Sequence, residues 1–180
     1  MTRTLAILLV LFATPGLAKD ACVSQLPETL KVAAGAAYPS YRLPLVTDNT
    51  AEDVAGSKER TGNACLGVAK GNFSGNGTDG WVLGLTQRHG KGALVVVALP
   101  QQGKWQLHTL VSWPGDRSRL YVAAYKPGRY DSVLDGPPSE IGEVDHLVCH
   151  HDVAVYGATE STGVAYCYSH GKWRHTWFSD

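Results

Sequence analysis

Between Ala93 and Leu99 the chain runs through seven apolar residues without a break. A run of that length suits a strand covered on both faces. After it, Trp105, Leu107, Thr109, Val111 and Trp113 alternate with Gln106, His108 and Ser112, the pattern of a half-buried strand. Before it, Trp81 to Thr86 follows a turn rich in Gly and Asn and reads as a third strand.

The same grammar continues to the end. A Pro114-Gly115-Asp116 turn precedes an expected strand over Arg119 to Tyr125. Leu147 to Cys149 and Val153 to Ala158 flank His150-His151-Asp152, and Val164, Tyr166 and Tyr168 share one face. A Ser169-His170-Gly171-Lys172 turn then leads into Trp173 to Phe178. Helical periodicity is weak here, so the expected class is all-β, an antiparallel meander forming a sandwich, a curled sheet or a partial propeller. Residues 19–63 differ. Pro27, Pro39 and Pro44 punctuate them, and they are expected to be irregular apart from one short helix over Ala51 to Glu59. Asp48-Asn49-Thr50 would cap that helix and Gly62 would end it. A single domain over 19–180, with its meander in 64–180, is the expected organisation.

The first eighteen residues read as an export signal. Arg3 supplies the positive start, Leu5 to Phe12 the short apolar run, and Gly16-Leu17-Ala18 the small-residue cleavage box. The run is too short to span a bilayer, which needs roughly 20 apolar residues. The four cysteines, Cys22, Cys65, Cys149 and Cys167, all follow it. An even count behind such a leader points to two disulfides in an oxidising compartment, the periplasm or the exterior. Three connectivities are open, and loop closure favours Cys22–Cys65 with Cys149–Cys167. The net charge is zero and no basic run exists to follow a phosphate backbone, so nucleic acid is not an expected partner.

Chemistry is sparsely signalled. Gly75 to Gly80 spells G-x-G-x-x-G, but a strand follows it where a dinucleotide site needs a helix, so it is a turn. No G-x-S-x-G elbow, S-x-x-K pair or spare cysteine marks a nucleophile. His146, His150, His151, His170 and His175 lack metal-motif spacing. Asp131, Asp135, Glu140, Glu143 and Asp145 are the place where paired carboxylates of a hydrolase would sit, although a solvated loop is the plainer reading. Tyr130, in Lys126-Pro127-Gly128-Arg129-Tyr130-Asp131-Ser132, has the chemistry of an interface anchor on a turn. It has equal reason to fold back onto the sheet. Arg129, Tyr130, Asp131 and Ser132 are therefore the candidate partner-binding residues of a non-enzymatic protein.

Gly71-Asn72-Phe73-Ser74-Gly75-Asn76-Gly77-Thr78-Asp79-Gly80-Trp81 resembles the calcium loop of FG-GAP and VCBS-type repeats. In that resemblance Asn72, Ser74, Asn76 and Asp79 stand at the ligand positions, with one carboxylate in place of several, which implies weak calcium binding or none. With the Pro127-Gly128-Arg129-Tyr130 turn and the close Glu160 to Tyr168, Gly171-Lys172-Trp173 and Trp177 to Asp180, this loop makes the chain similar to small exported bacterial proteins. Some of these resemble periplasmic lysozyme inhibitors of the invertebrate type and immunity proteins against peptidoglycan hydrolases. The resemblance implies a lysozyme-like or other wall-degrading partner, whose cleft a loop bearing Tyr130 enters; from charge and turn position alone, Arg129 is expected to meet a catalytic carboxylate there. An envelope structural module and a peptidoglycan-active hydrolase are the other expectations.

Overall fold

The computed structural model describes residues 19–113 and 115–179, so the expected leader over 1–18 lies outside the described residues. Three helices come early: α1 (Ala21–Gln25), α2 (Glu28–Ala37) and α3 (Ala51–Thr61), with the short strand β1 (Tyr41–Arg42) after α2. Then follow β2 (Val68–Gly71), β3 (Gly80–Gln87), β4 (Ala93–Gln101), β5 (Lys104–Trp113), β6 (Leu120–Tyr125) and β7 (Gly128–Asp131). The last four are β8 (His146–Cys149), β9 (Val153–Ala158), β10 (Gly163–Ser169) and β11 (Lys172–Phe178). Strands dominate, as the alternation requires, and all paired strands are antiparallel.

One sheet runs β1-β3-β4-β5, with β2 taking the rest of the outer edge of β3. A second runs β11-β10-β9-β6, and β7 pairs β8 in a separate ribbon. The Val122 N–H donates to the Leu66 carbonyl at 2.8 Å, tying β6 to the chain entering β2. The two sheets share one core, in which Val82, Val95, Val97 and Leu99 meet Leu120, Val122, Tyr156, Val164 and Tyr166. The architecture is thus a sandwich with an extra layer on each side. Leu26 and Leu30 cover Leu83, Leu85, Leu94 and Val96 on the outer face of the first sheet. Leu147 and Cys149 of the ribbon cover Val153, Val155, Ala165 and Phe178 on the outer face of the second. Each fully buried aliphatic side chain stabilises the fold by roughly 2 kcal/mol. The unbroken run in β4 now has its reason, because alternate residues face the second sheet and the helices.

Two sequence expectations shift. The alternation in β5 does not keep one face: the register against β4 slips between Val95 and Val96, leaving Leu110 unpaired. This bulge puts Trp105 and Leu107 on the helix side and Val111 and Trp113 in the inter-sheet core. Residues 19–63 are also far from irregular. Glu28 to Ala37 is rich in strong helix formers, and Leu30 and Ala34, one turn apart, bury against the sheet. The expected helix over Ala51 to Glu59 is α3, capped by Thr50 and ended by Gly62 in the left-handed region at φ 74°.

The disulfides join Cys22 to Cys65 and Cys149 to Cys167, the pairing that loop closure favours. The first ties α1 to the chain before β2. The second ties β8 of the ribbon to β10 beneath it. No helix among the described residues is long and apolar enough to cross a membrane.

Candidate functional site

The ribbon positions the candidate residues by strand alternation. Arg129 pairs Val148 and Asp131 pairs His146 across it, and all four are exposed. Asp131 Oδ1 accepts a bond from Arg129 Nε at 2.8 Å and faces His146 Nδ1 at 2.7 Å. The Arg129 bond first, then His146, holds the Asp131 carboxyl below the usual carboxylate range.

Tyr130 and Leu147 take the opposite, inner face. The Tyr130 hydroxyl donates to the Lys126 carbonyl at 2.6 Å, and its ring packs edge-on against Phe178. Burial raises the Tyr130 phenol above its ordinary value. Of the two openings left by the sequence, Tyr130 therefore takes the one that folds back onto the sheet. The segment expected as a turn is a strand, because pairing with β8 and the apolar ground under Tyr130 outweigh its local turn chemistry. Ser132 extends the ribbon, donating its N–H to Asp145 O at 2.8 Å, while its hydroxyl accepts from Leu134 N–H.

Between β7 and β8, residues 132–145 run beside the outer edge of β11. Val133 N–H donates to Trp177 O, Val144 N–H to His175 O, and His175 N–H to Gly142 O. Gly142 is required there: its φ is 89°, and an added Cβ would lie 3.0 Å from the Trp173 carbonyl. The Glu143 carboxylate accepts from Ser139 N–H at 2.7 Å and Glu140 N–H at 2.9 Å, which keeps its carboxyl below the usual range. Glu140 Oε2 lies 3.3 Å from His175 Nε2 without hydrogen-bond alignment. Three of the acidic residues weighed for hydrolysis are thus engaged locally, Asp131 and Glu143 in holding turns and strands and Glu140 beside His175.

The loop and the ribbon leave apolar residues in solvent. Ile141 is fully exposed, and Val148, Leu134 and Val133 are 55, 48 and 45 % exposed. Among the described residues only one other large hydrophobic is so exposed, Val32 on α2. One of these residues, Val133, also lines an open depression of about 630 Å³ with Tyr125, Arg129, Tyr130, Asp131, Phe178 and Ser179. Sequence reading found the ribbon residues but missed the patch. Its signal was Val133-Leu134 and Ile141 standing without alternation among prolines, glycines and acids.

The calcium-type loop does not assemble its four expected ligands. Asp79 forms an ion pair with Lys70 at 2.6 Å, and Asn76 Oδ1 accepts from Thr78 N–H at 2.9 Å. Asn72 Oδ1 and Ser74 Oγ are shut from solvent without a hydrogen-bond partner, and Asn72 N–H donates to Asp152 at 2.7 Å. Calcium needs several converging oxygens that carry carboxylate charge. With Asp79 turned to a lysine and Asn76 closed on its own turn, these residues do not fit it. Two neutral oxygens suit a buried water better.

Among the described residues, one group of three metal-type ligands lies close together: Cys149, His151 and Cys167. Its sulfurs are joined to each other, and the His151 ring nitrogens face the carbonyls of Asp152 at 3.0 Å and Tyr168 at 2.7 Å. The group is structural. His151 also fills the space above Gly75, joining the loop at 71–79 to the clamped end of the ribbon. Comparison with family models, curated proteins and solved structures gives no match to this chain.

Proposed function

We propose that this chain is an exported, non-enzymatic binding protein that recognises another protein through the outer face of the β7–β8 ribbon and its loop. The observation that carries the reading is that four of the exposed large hydrophobics, Val133, Leu134, Ile141 and Val148, fall on the ribbon and its loop, where Val133 also lines an open aromatic depression. Contiguous apolar surface rimmed by polar groups is how protein interfaces are built. The fold supports it by holding the face rigid, with Cys149–Cys167 below and the edge of β11 beside it. Two disulfides suit an oxidising compartment, and the periplasm is the proposed one.

At the finer level, the resemblance to lysozyme inhibitors and immunity proteins makes a lysozyme-like peptidoglycan hydrolase the proposed target, blocked by occlusion of its cleft. In this reading Tyr130 shapes the depression from below rather than entering the partner. Arg129 and Val148 project from the outer face. Affinity capture from a lysate of the source organism tests the reading, with wild type beside an Ile141→Ser/Val148→Ser variant. Recovery of a wall-degrading enzyme by wild type, lost in the variant, is the expected result. Identical captures by both proteins would remove the face from consideration.

A further inference from the structure

The ribbon and loop that carry these apolar residues are acidic in sequence, with exposed Lys172 and Arg174 on the neighbouring β11. Residues 128–148 contain Asp131, Asp135, Glu140, Glu143 and Asp145, against Arg129 as their one Lys or Arg. Five carboxylates and one guanidinium make a net charge of −4 with histidine neutral, in a chain whose charges sum to zero. Asp131 and Glu143 are turned to partners within the ribbon and loop, and Glu140, though exposed, has one carboxylate oxygen 3.3 Å from His175 Nε2. Asp135, Glu140 and Asp145 are exposed, in the same loop as Val133, Leu134 and Ile141.

We propose that the partner of this face is a cationic protein, whose Lys and Arg side chains meet Asp135, Glu140 and Asp145 while its apolar centre covers Ile141 and Val148. The proposal rests on the reading of the ribbon and loop as an interface and adds the sign of the partner's charge. An acidic partner would bring carboxylates against carboxylates around an apolar centre, which charge complementarity selects against. A cationic one is drawn in by the local field, which speeds encounter and makes it sensitive to salt. The division of labour follows: acidic residues set the rate of arrival, and the apolar centre sets the rate of departure.

The test uses the full oxidised protein, immobilised, and a panel of small basic and acidic proteins that includes egg-white lysozyme and its succinylated, acidic form. Wild type is expected to retain basic members, with association slowing roughly tenfold between about 20 and 300 mM salt. An Asp135→Asn/Glu140→Gln/Asp145→Asn variant should lose that tenfold and its salt dependence, and Ile141→Ser/Val148→Ser should speed dissociation. The charge proposal is overturned if the neutralised variant retains basic proteins as wild type does, or if the retained proteins are acidic. In either case sensitivity to Ile141→Ser/Val148→Ser keeps the interface itself. Retention of no panel member overturns both. A stable dimer of the free protein that Ile141→Ser/Val148→Ser dissolves gives the face to a second copy and also overturns the proposal.

Discussion

Tyr130 meets Phe178 edge-on, with ring centroids 5.4 Å apart and planes at 83°. Tyr125 approaches the same ring at 5.6 Å, so Phe178, the last residue of β11, is gripped from two strands. The contact makes Tyr130 a hinge pin between the ribbon and the second sheet. Tyr130→Phe keeps the ring and removes the bond to Lys126 O, and should cost about 1 kcal/mol. Tyr130→Ala removes the ring as well and should cost about 2–4 kcal/mol. Equal losses in urea unfolding would mean that the hydroxyl, not the ring, fastens the ribbon.

Cys149–Cys167 closes 18 residues and Cys22–Cys65 closes 43. Chain entropy alone assigns about 3 and 4 kcal/mol to them. Their local effects should run the other way at the binding face, since only the shorter link clamps the ribbon. Replacing Cys149 and Cys167 by Ser should raise amide exchange across 128–131 and 146–149, while the Cys22/Cys65 pair of changes should leave it near wild type. Hydrogen exchange read by mass spectrometry decides between them.

Arg117 is buried, with Nη1 donating to Leu120 O at 2.9 Å and to Asn49 Oδ1 at 3.3 Å. Its Nε and Nη2 have no partner, and burial lowers its pKa. A guanidinium held this way is tolerated more than exploited. Arg117→Met should therefore lie within about 1 kcal/mol of wild type, whereas Arg117→Ala, which opens a cavity, should cost about 2–4 kcal/mol. Denaturant midpoints of the two variants check this. A Met variant as weak as the Ala variant would show that the charge itself is needed.

Acid sensitivity should come from Asp48. Burial opposes its charge, but bonds from Arg42, Leu45 N–H and Thr86 outweigh that and hold its carboxyl below the ordinary value. A depressed carboxyl stabilises the fold above its unfolded pKa near 4, and that contribution is lost as pH falls through the folded value. His108 acts in a higher window. Its pKa is lowered by burial, so the unfolded chain takes up protons first and stability falls as pH drops below about 6.5. Melting curves against pH should show a step below 6.5 that His108→Gln removes and a deeper one below 4 that Asp48→Asn flattens.

The strands were legible because Ala93 to Leu99, Val153 to Ala158 and Val164 to Tyr168 each show one clear period. The β5 bulge was not, because a single unpaired residue changes the face without changing composition. α2 was hidden by its prolines, although Pro27 stands just before its first turn, where proline is tolerated. The ribbon misled for a different reason. Lys126 to Ser132 has the local chemistry of a turn, and only the distant Leu147 and Phe178 make it a strand. Neither spacing nor motif marks the exposed patch, because exposure belongs to the packing of a loop on β11.

The response of the loop at 71–79 to calcium is set by one ion pair. The Asp79 carboxylate sits 2.6 Å from Lys70 Nζ, both more than half exposed, so the pair itself contributes little to stability. A cation binding this loop would first have to take Asp79 from Lys70 and Asn76 from Thr78, and Asp152, the other carboxylate at the loop, already accepts from Asn72 N–H. Millimolar calcium should therefore leave the melting temperature unchanged, and Asp79→Asn should be near neutral. A cation that bound the folded chain at 100 times its dissociation constant would add about 2.7 kcal/mol and move the transition by several degrees. Such a rise, abolished by Asp79→Asn, would mean that Asp79 turns from Lys70 into the loop.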